Sequence, residues 1–151
     1  MDLVRAKIER VIGTSGQDYA VVISADAKSF LIFVGQPEVV AIYRELQGVG
    51  AQRPMSHDVI ANVMRAFDIE VRKVVISAIV ENVFCATLLM AQNPPSQAGD
   101  EAIQSNAVRL DLRASDAMII ALKTKSQLWV SREVLDQVED VSSIIPDDDA
   151  D

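Results

Sequence analysis

The one histidine of this 151-residue chain, His57, sits between Ser56 and Asp58, four residues after Arg53. Directly beyond it, Val59, Ile60, Val63, Met64 and Phe67 recur at helical spacing. The cluster therefore lies where a loop becomes a helix. The first unpaired backbone N–H groups of that helix are directed at it, an arrangement suited to an anion. A second cluster, Arg113-Ala114-Ser115-Asp116, opens another helix in the same way, and Glu38 stands in the first turn of a third. Imidazole is the side chain suited to proton transfer near neutral pH, so His57 is a candidate general acid or base. Arg53 and Arg113 can each hold phosphate oxygens through paired N–H groups. Asp58, Asp116 and Glu38 are candidate ligands for a hard divalent cation, Mg2+ or Mn2+. Each residue also has a simpler reading. First-turn carboxylates stabilise a helix by about 0.3–1 kcal/mol without any ligand, and Arg53 and Arg113 can pair with Asp58 and Asp116.

The elements that must position these groups are legible in the hydrophobic pattern. Residues 3–12 fit a half-buried strand and also a helix. The turn cluster at 13–16 and the β-rich runs Tyr19–Ala25 and Ser29–Val34 favour the strand, because the two runs read as a hairpin. Pro37 suits the first turn of a helix whose buried stripe is Val39, Ile42, Tyr43 and Leu46, with Gly48 as its stop. Ser56 is the expected N-cap of a helix over 57–68. Val71–Val80 and Val83–Ala91 are strands around Glu81-Asn82, where Asn82 can take a positive φ. A polar loop over 93–106 precedes a strand at Ala107–Leu112. Ser115 is the expected cap of an apolar, buried helix at Ala117–Leu122. A short strand at Leu128–Val130 and a helix capped by Ser131 follow. The order β-β-β-α-α-β-β-β-α-β-α predicts an α+β fold, with a mixed or antiparallel β-sheet and helices packed on it.

Half the residues are hydrophobic, enough for a single-domain core at 16.5 kDa. The net charge of −8 is unevenly placed. Residues 1–132 carry 14 basic and 14 acidic side chains, whereas 133–151 carry eight acidic and no basic ones. The body is therefore neutral and can hold local basic patches, so the acidic total does not exclude a nucleic-acid partner. The expected division is a domain over 1–138 and an acidic, mobile tail over 139–151. The lone Cys85, in an apolar run, reads as a buried, inert thiol in a reducing compartment. With no secretory pattern and no apolar run long enough to span a bilayer, the expectation is a cytoplasmic protein with no membrane partner.

Several of these segments together resemble the bifunctional nuclease family. They are Phe33-Val-Gly-Gln-Pro-Glu38, Ala41-Ile42, Leu46-Gln-Gly48, Arg53-Pro54, Ser56-His57-Asp58, Val74-Val75-Ile76 and Arg113-Ala-Ser-Asp116-Ala117, and the similarity covers residues 2–138 in order and spacing. Ser56 stands where the family usually has threonine and Ala114 where it usually has proline; no charged motif residue is lost. The resemblance implies a compact α+β domain that forms a homodimer or higher homo-oligomer and acts as a nuclease on both DNA and RNA. Phosphodiester hydrolysis would then use His57, Asp58, Asp116 and Glu38 in catalysis and Arg53 and Arg113 on the phosphate, with Mg2+ or Mn2+ assisting. The low aromatic content, 5%, argues against an extensive base-stacking platform, so binding is expected to be backbone-directed and salt-sensitive. The alternative is a non-enzymatic oligomeric domain, binding or regulatory, that recognises an anionic ligand or a protein partner. The two readings divide on whether Glu38, His57, Asp58 and Asp116 share one cleft.

Overall fold

A computed structural model gives the structure of residues 1–93 and 106–145. Residues 94–105 of the polar loop expected over 93–106, and the last six residues of the expected tail, 146–151, lie outside the described residues. The fold is α+β, and the described residues form seven strands and four helices in the order expected from the sequence. The strands are β1 (Leu3–Gly13), β2 (Tyr19–Ala25), β3 (Lys28–Val34), β4 (Ile69–Val80), β5 (Val83–Gln92), β6 (Asn106–Arg113) and β7 (Leu128–Ser131). The helices are α1 (Gln36–Gln47), α2 (Ser56–Ala66), α3 (Ala114–Thr124) and α4 (Arg132–Gln137).

One mixed sheet runs β3-β2-β1-β7-β4-β5-β6. Only β4 and β7 are parallel; the other neighbours are antiparallel. Alternation along β1 explains why it is a strand: Val4, Ala6 and Ile8 are buried while Arg5, Lys7 and Glu9 face out. The β4–β5 turn is the tight two-residue kind, with Glu81 at φ 50° and Asn82 at φ 65°. The sheet curls enough for Phe30 on edge strand β3 to stack on Phe84 of β5, ring centroids 5.9 Å apart.

Helix α3 is the hub of the core. Its residues Ala114 and Ala117–Ala121 are buried, and it packs on α1, α2, β4 and β5. Its apolar surface is consumed inside the chain, so it leaves no surplus to drive association. Gly48, left-handed at φ 69°, ends α1 in a conformation that costs a Cβ-bearing residue more.

Several local expectations differ from the structure. Ser56 and Ser115 cap nothing: α2 starts at Ser56 itself and α3 at Ala114, with Met55 and Arg113 at the N-cap positions. The α2 end is instead closed by Asp58, whose Oδ2 accepts from the Met55 N–H at 2.8 Å. A carboxylate at the third helical position reaches back as well as a serine reaches forward. Ser131 does cap α4, accepting from the Val134 N–H. Cys85 is half-buried rather than buried. The start of the expected free tail is tied down: Asp140 accepts from the Ser29 N–H at 3.0 Å and the Val141 N–H donates to the Ser29 carbonyl at 2.8 Å. On α2 only Met64 is buried, while Val59, Ile60, Val63 and Phe67 are exposed. Their periodicity marks a helix but not its core-facing side.

Candidate active site

Three helix N-termini converge. Glu38 lies in the first turn of α1, His57 and Asp58 in that of α2, and Asp116 in that of α3. His57 Nε2 is 2.9 Å from Asp116 Oδ1. Arg113 grips the same carboxylate with two N–H groups: Nε donates to Oδ2 at 2.9 Å and Nη2 to Oδ1 at 3.0 Å. Nη2 also reaches Glu38 Oε1 at 3.4 Å. The result is a continuous chain, His57–Asp116–Arg113–Glu38, drawn from three helices and the end of β6. Glu38 packs on Gly35, where an added Cβ would fall 2.6 Å from its carboxylate oxygen Oε2.

A second cluster adjoins it. Lys123 Nζ donates to both Asp58 Oδ1 and Glu45 Oε1. Glu38, His57, Asp58, Glu45 and Lys123 all line one cavity of about 210 Å³, whose other walls include the apolar Val40, Val49 and Met55 and also Arg44. Glu38, His57 and Asp58 thus share a cleft, and Asp116 joins it through His57. Arg53 does not join: it is exposed in the α1–α2 loop and has no polar contact among the described residues.

The charges explain the protonation states. The Arg113 guanidinium, assisted by His57 and opposed by burial, holds the Asp116 carboxyl below its ordinary 3.8. Lys123 and the Met55 N–H likewise hold Asp58 below 3.8. Asp116 in turn raises Arg113. Burial pulls the Lys123 ammonium down, but Asp58 and Glu45 outweigh it and the net shift is upward. With Asp116 ionised, it can only accept, so the hydrogen bond between them is donated by His57 Nε2–H. Four carboxylates face two permanent cations here. The positive ends of three helix dipoles offset part of that excess.

The depressed carboxylates make stability pH-dependent. Unfolded Asp58 and Asp116 bind protons at higher pH than folded ones, so their contribution is complete above about pH 4 and fades as pH falls through the lowered folded values. Denaturant midpoints followed from pH 7 to pH 3 should therefore drop below about pH 4, and the drop should be shallower in Asp58→Asn/Asp116→Asn. Equal slopes for both proteins would mean these pairs do not form.

Lys123 and Glu45 are the site residues that the sequence reading missed, although a signal exists. Glu45 follows Glu38 by seven residues on α1, and Lys123 follows Asp116 by seven on α3. Seven residues make two helical turns, so each pair shares a face. The two polar faces meet because α1 packs against α3.

A divalent cation can be tested against this donor set. Among the described residues no three His, Cys, Asp or Glu side chains lie close enough to hold a metal ion. The site is not an all-protein cage. It fits only a cation that keeps waters and phosphate oxygens for most of its shell and takes one or two carboxylates, as Mg2+ commonly does.

Beyond geometry, the sequence matches the family described as Bifunctional nuclease domain over residues 21–142. Uncharacterized proteins from two strains of Mycobacterium tuberculosis are each 31% identical over 117 residues, 78% of this chain. The chain spans 61% of the length of these relatives. The family match runs from β2 past α4 and so takes in Glu38, His57, Arg113 and Asp116 together. By that match the chain belongs to the bifunctional nuclease domain family.

Proposed function

We propose that the chain hydrolyses phosphodiester bonds of both DNA and RNA with little sequence preference. The observation that carries this reading is the hydrogen-bonded chain His57–Asp116–Arg113–Glu38 beside a cavity, in a domain of this family. His57 is the general base. Its Nε2–H is held by Asp116, Nδ1 takes the proton of the attacking water, and the Asp116 carboxylate stabilises the imidazolium that forms. Arg113 is 65% exposed, and its Nη1 group has no partner among the described residues, so it is free to bind the phosphate as charge grows there. Asp58 positions His57 by fixing the start of α2, and Lys123 holds Asp58 in turn. Mg2+ or Mn2+ bound with the substrate would supply charge neutralisation at the phosphate, and Glu38, which Arg113 engages through Oε1 alone, would be the carboxylate to hold it.

The test is cleavage of end-labelled single- and double-stranded DNA and RNA, with Mg2+, with Mn2+ and in EDTA. The expected result is cleavage of both nucleic acids with either cation and little in EDTA. The second reading, a non-enzymatic domain for an anionic ligand or protein partner, draws on one observation: Glu38, Asp58 and Asp116 are all engaged by the chain's own cations. No cleavage of any substrate under any condition favours it.

The homo-oligomer belongs to the same proposal, with α2 as its location. Met55, Val59, Ile60, Val63 and Phe67 form an exposed apolar stripe along α2 and its two ends, and Met55 shares the cavity lining with the exposed Val40 of α1. A contiguous apolar patch of this kind marks an association surface. Association there would seat a second copy beside the His57 end of the site. Light scattering should report a dimer or larger species for the wild type and a smaller one for Val63→Asp. A wild-type monomer across the micromolar range contradicts this.

A further inference from the structure

A second groove meets the site from the other side. It runs between the end of β3 and the β4–β5 turn and encloses about 420 Å³, within the range of ligand pockets. Phe33, Val83 and Phe84 line it, and Asn82 lies at its rim. Phe33 is 62% exposed and Val83 61%, so both side chains are accessible to a ligand. Phe84 is held in place by its stacking on Phe30. Asn82 has no side-chain hydrogen bond among the described residues, so its amide is open to a polar edge. The groove ends at Glu38 and Arg113, the same pair that closes the His57–Asp116 chain.

We infer that this groove is a base-binding subsite for one unpaired nucleotide flanking the phosphate at Arg113. The inference rests on the phosphodiester reading of the site, and the occupant follows from the join between apolar groove and cation. Arg113 is the cation that a phosphate would seek, and a base lies one sugar away from its phosphate. Aromatic and apolar walls accept any base by its flat face, which suits binding without sequence preference. A base in a duplex is stacked and paired and cannot enter without being extruded, so the groove selects unpaired strands. One or two aromatics at a single point also agree with a chain too poor in aromatics for an extended stacking platform.

The test is fluorescence anisotropy on the full chain, in EDTA and in the cold, with strand integrity checked on a gel. The probes are a short oligothymidylate and an abasic strand of equal length and charge. Wild type should bind the thymidylate at least about fivefold more tightly than the abasic strand. Phe33→Ala, and separately Phe84→Leu, which keeps apolar volume against Phe30, should bring the thymidylate toward the abasic level. Arg113→Ala should weaken both probes by a similar factor. If the aromatic variants discriminate as wild type does, or wild type does not discriminate, while Arg113→Ala still weakens binding, the base subsite is wrong and the phosphodiester reading survives. If wild type binds neither probe, both fall. If Phe33→Ala changes the mass seen by light scattering, a second copy covers the groove and the inference is overturned.

Discussion

Asp116→Asn is expected to slow phosphodiester cleavage by about two orders of magnitude or more, within the range that a positioned acid–base group contributes. The substitution keeps the shape of the side chain and removes its charge. An amide cannot both accept from His57 Nε2–H and receive two N–H groups of Arg113, so the imidazole loses its fixed tautomer and orientation. The imidazolium formed during turnover also loses its counter-charge. The fall should appear in kcat. KM should stay level or drop, because Arg113, released from Asp116 and left with Glu38 alone, is freer to bind phosphate. Because the Arg113–Asp116 pair is largely solvent-exposed on the arginine side, its loss should lower stability by only about 1 kcal/mol. Wild-type kcat in a folded Asp116→Asn protein would remove Asp116 from the mechanism.

Lys123→Met is expected to give the largest loss of stability at the site. The Lys123 side chain is only 12% exposed and is the sole ammonium between Asp58 and Glu45. Without it two carboxylates face each other beside an apolar wall, the situation in which breaking an ion pair costs more than the pair contributed. Both carboxylates keep some contact with water, so the cost is discounted to about 2 kcal/mol. For a chain of this size that corresponds to a melting temperature lower by roughly 4–8 °C. Adding Glu45→Gln should recover part of the loss by removing the repulsion. An unchanged melting temperature in Lys123→Met would mean that the two ion pairs are not formed in solution.

The sequence carried the fold well and the site only in part, for separable reasons. Alternation in β1 and the tight turn at Glu81-Asn82 are local signals, and the strands and hairpin followed from them. The burial of Ala117–Ala121 was legible because no polar residue interrupts the run. The caps at Ser56 and Ser115 were misplaced because serine preference says that an end is near, not which residue closes it; Asp58 does so for α2. The stripe on α2 shows the limit of periodicity: Val59, Ile60, Val63 and Phe67 define a face, but the same pattern serves a core or an exposed association surface. At the site, Glu38, His57, Arg113 and Asp116 were singled out by position at helix starts, and the fold joins them. Lys123 and Glu45 were passed over because each lies in a last helical turn, where a charged residue looks ordinary. Lys123 lies 78 residues from Glu45 and 65 from Asp58 along the chain, so only the packing of α3 on α1 and α2 reveals the cluster. Arg53, close in sequence to the His57 cluster, stands outside the network: its loop lines the cavity through Val49, Gly50 and Ala51, while Arg53 itself is exposed.

The central claim is that His57 and Asp116 act as one unit on a phosphodiester. The most direct measurement is a double-mutant cycle on the cleavage rate of end-labelled single-stranded RNA and DNA, using wild type, His57→Ala, Asp116→Asn and the double variant, with folding verified for each. If Asp116 works through His57, the double variant should be scarcely slower than His57→Ala alone, and both single variants should be severely impaired. Single variants that cleave at the wild-type rate, or two losses that simply multiply, would contradict the account.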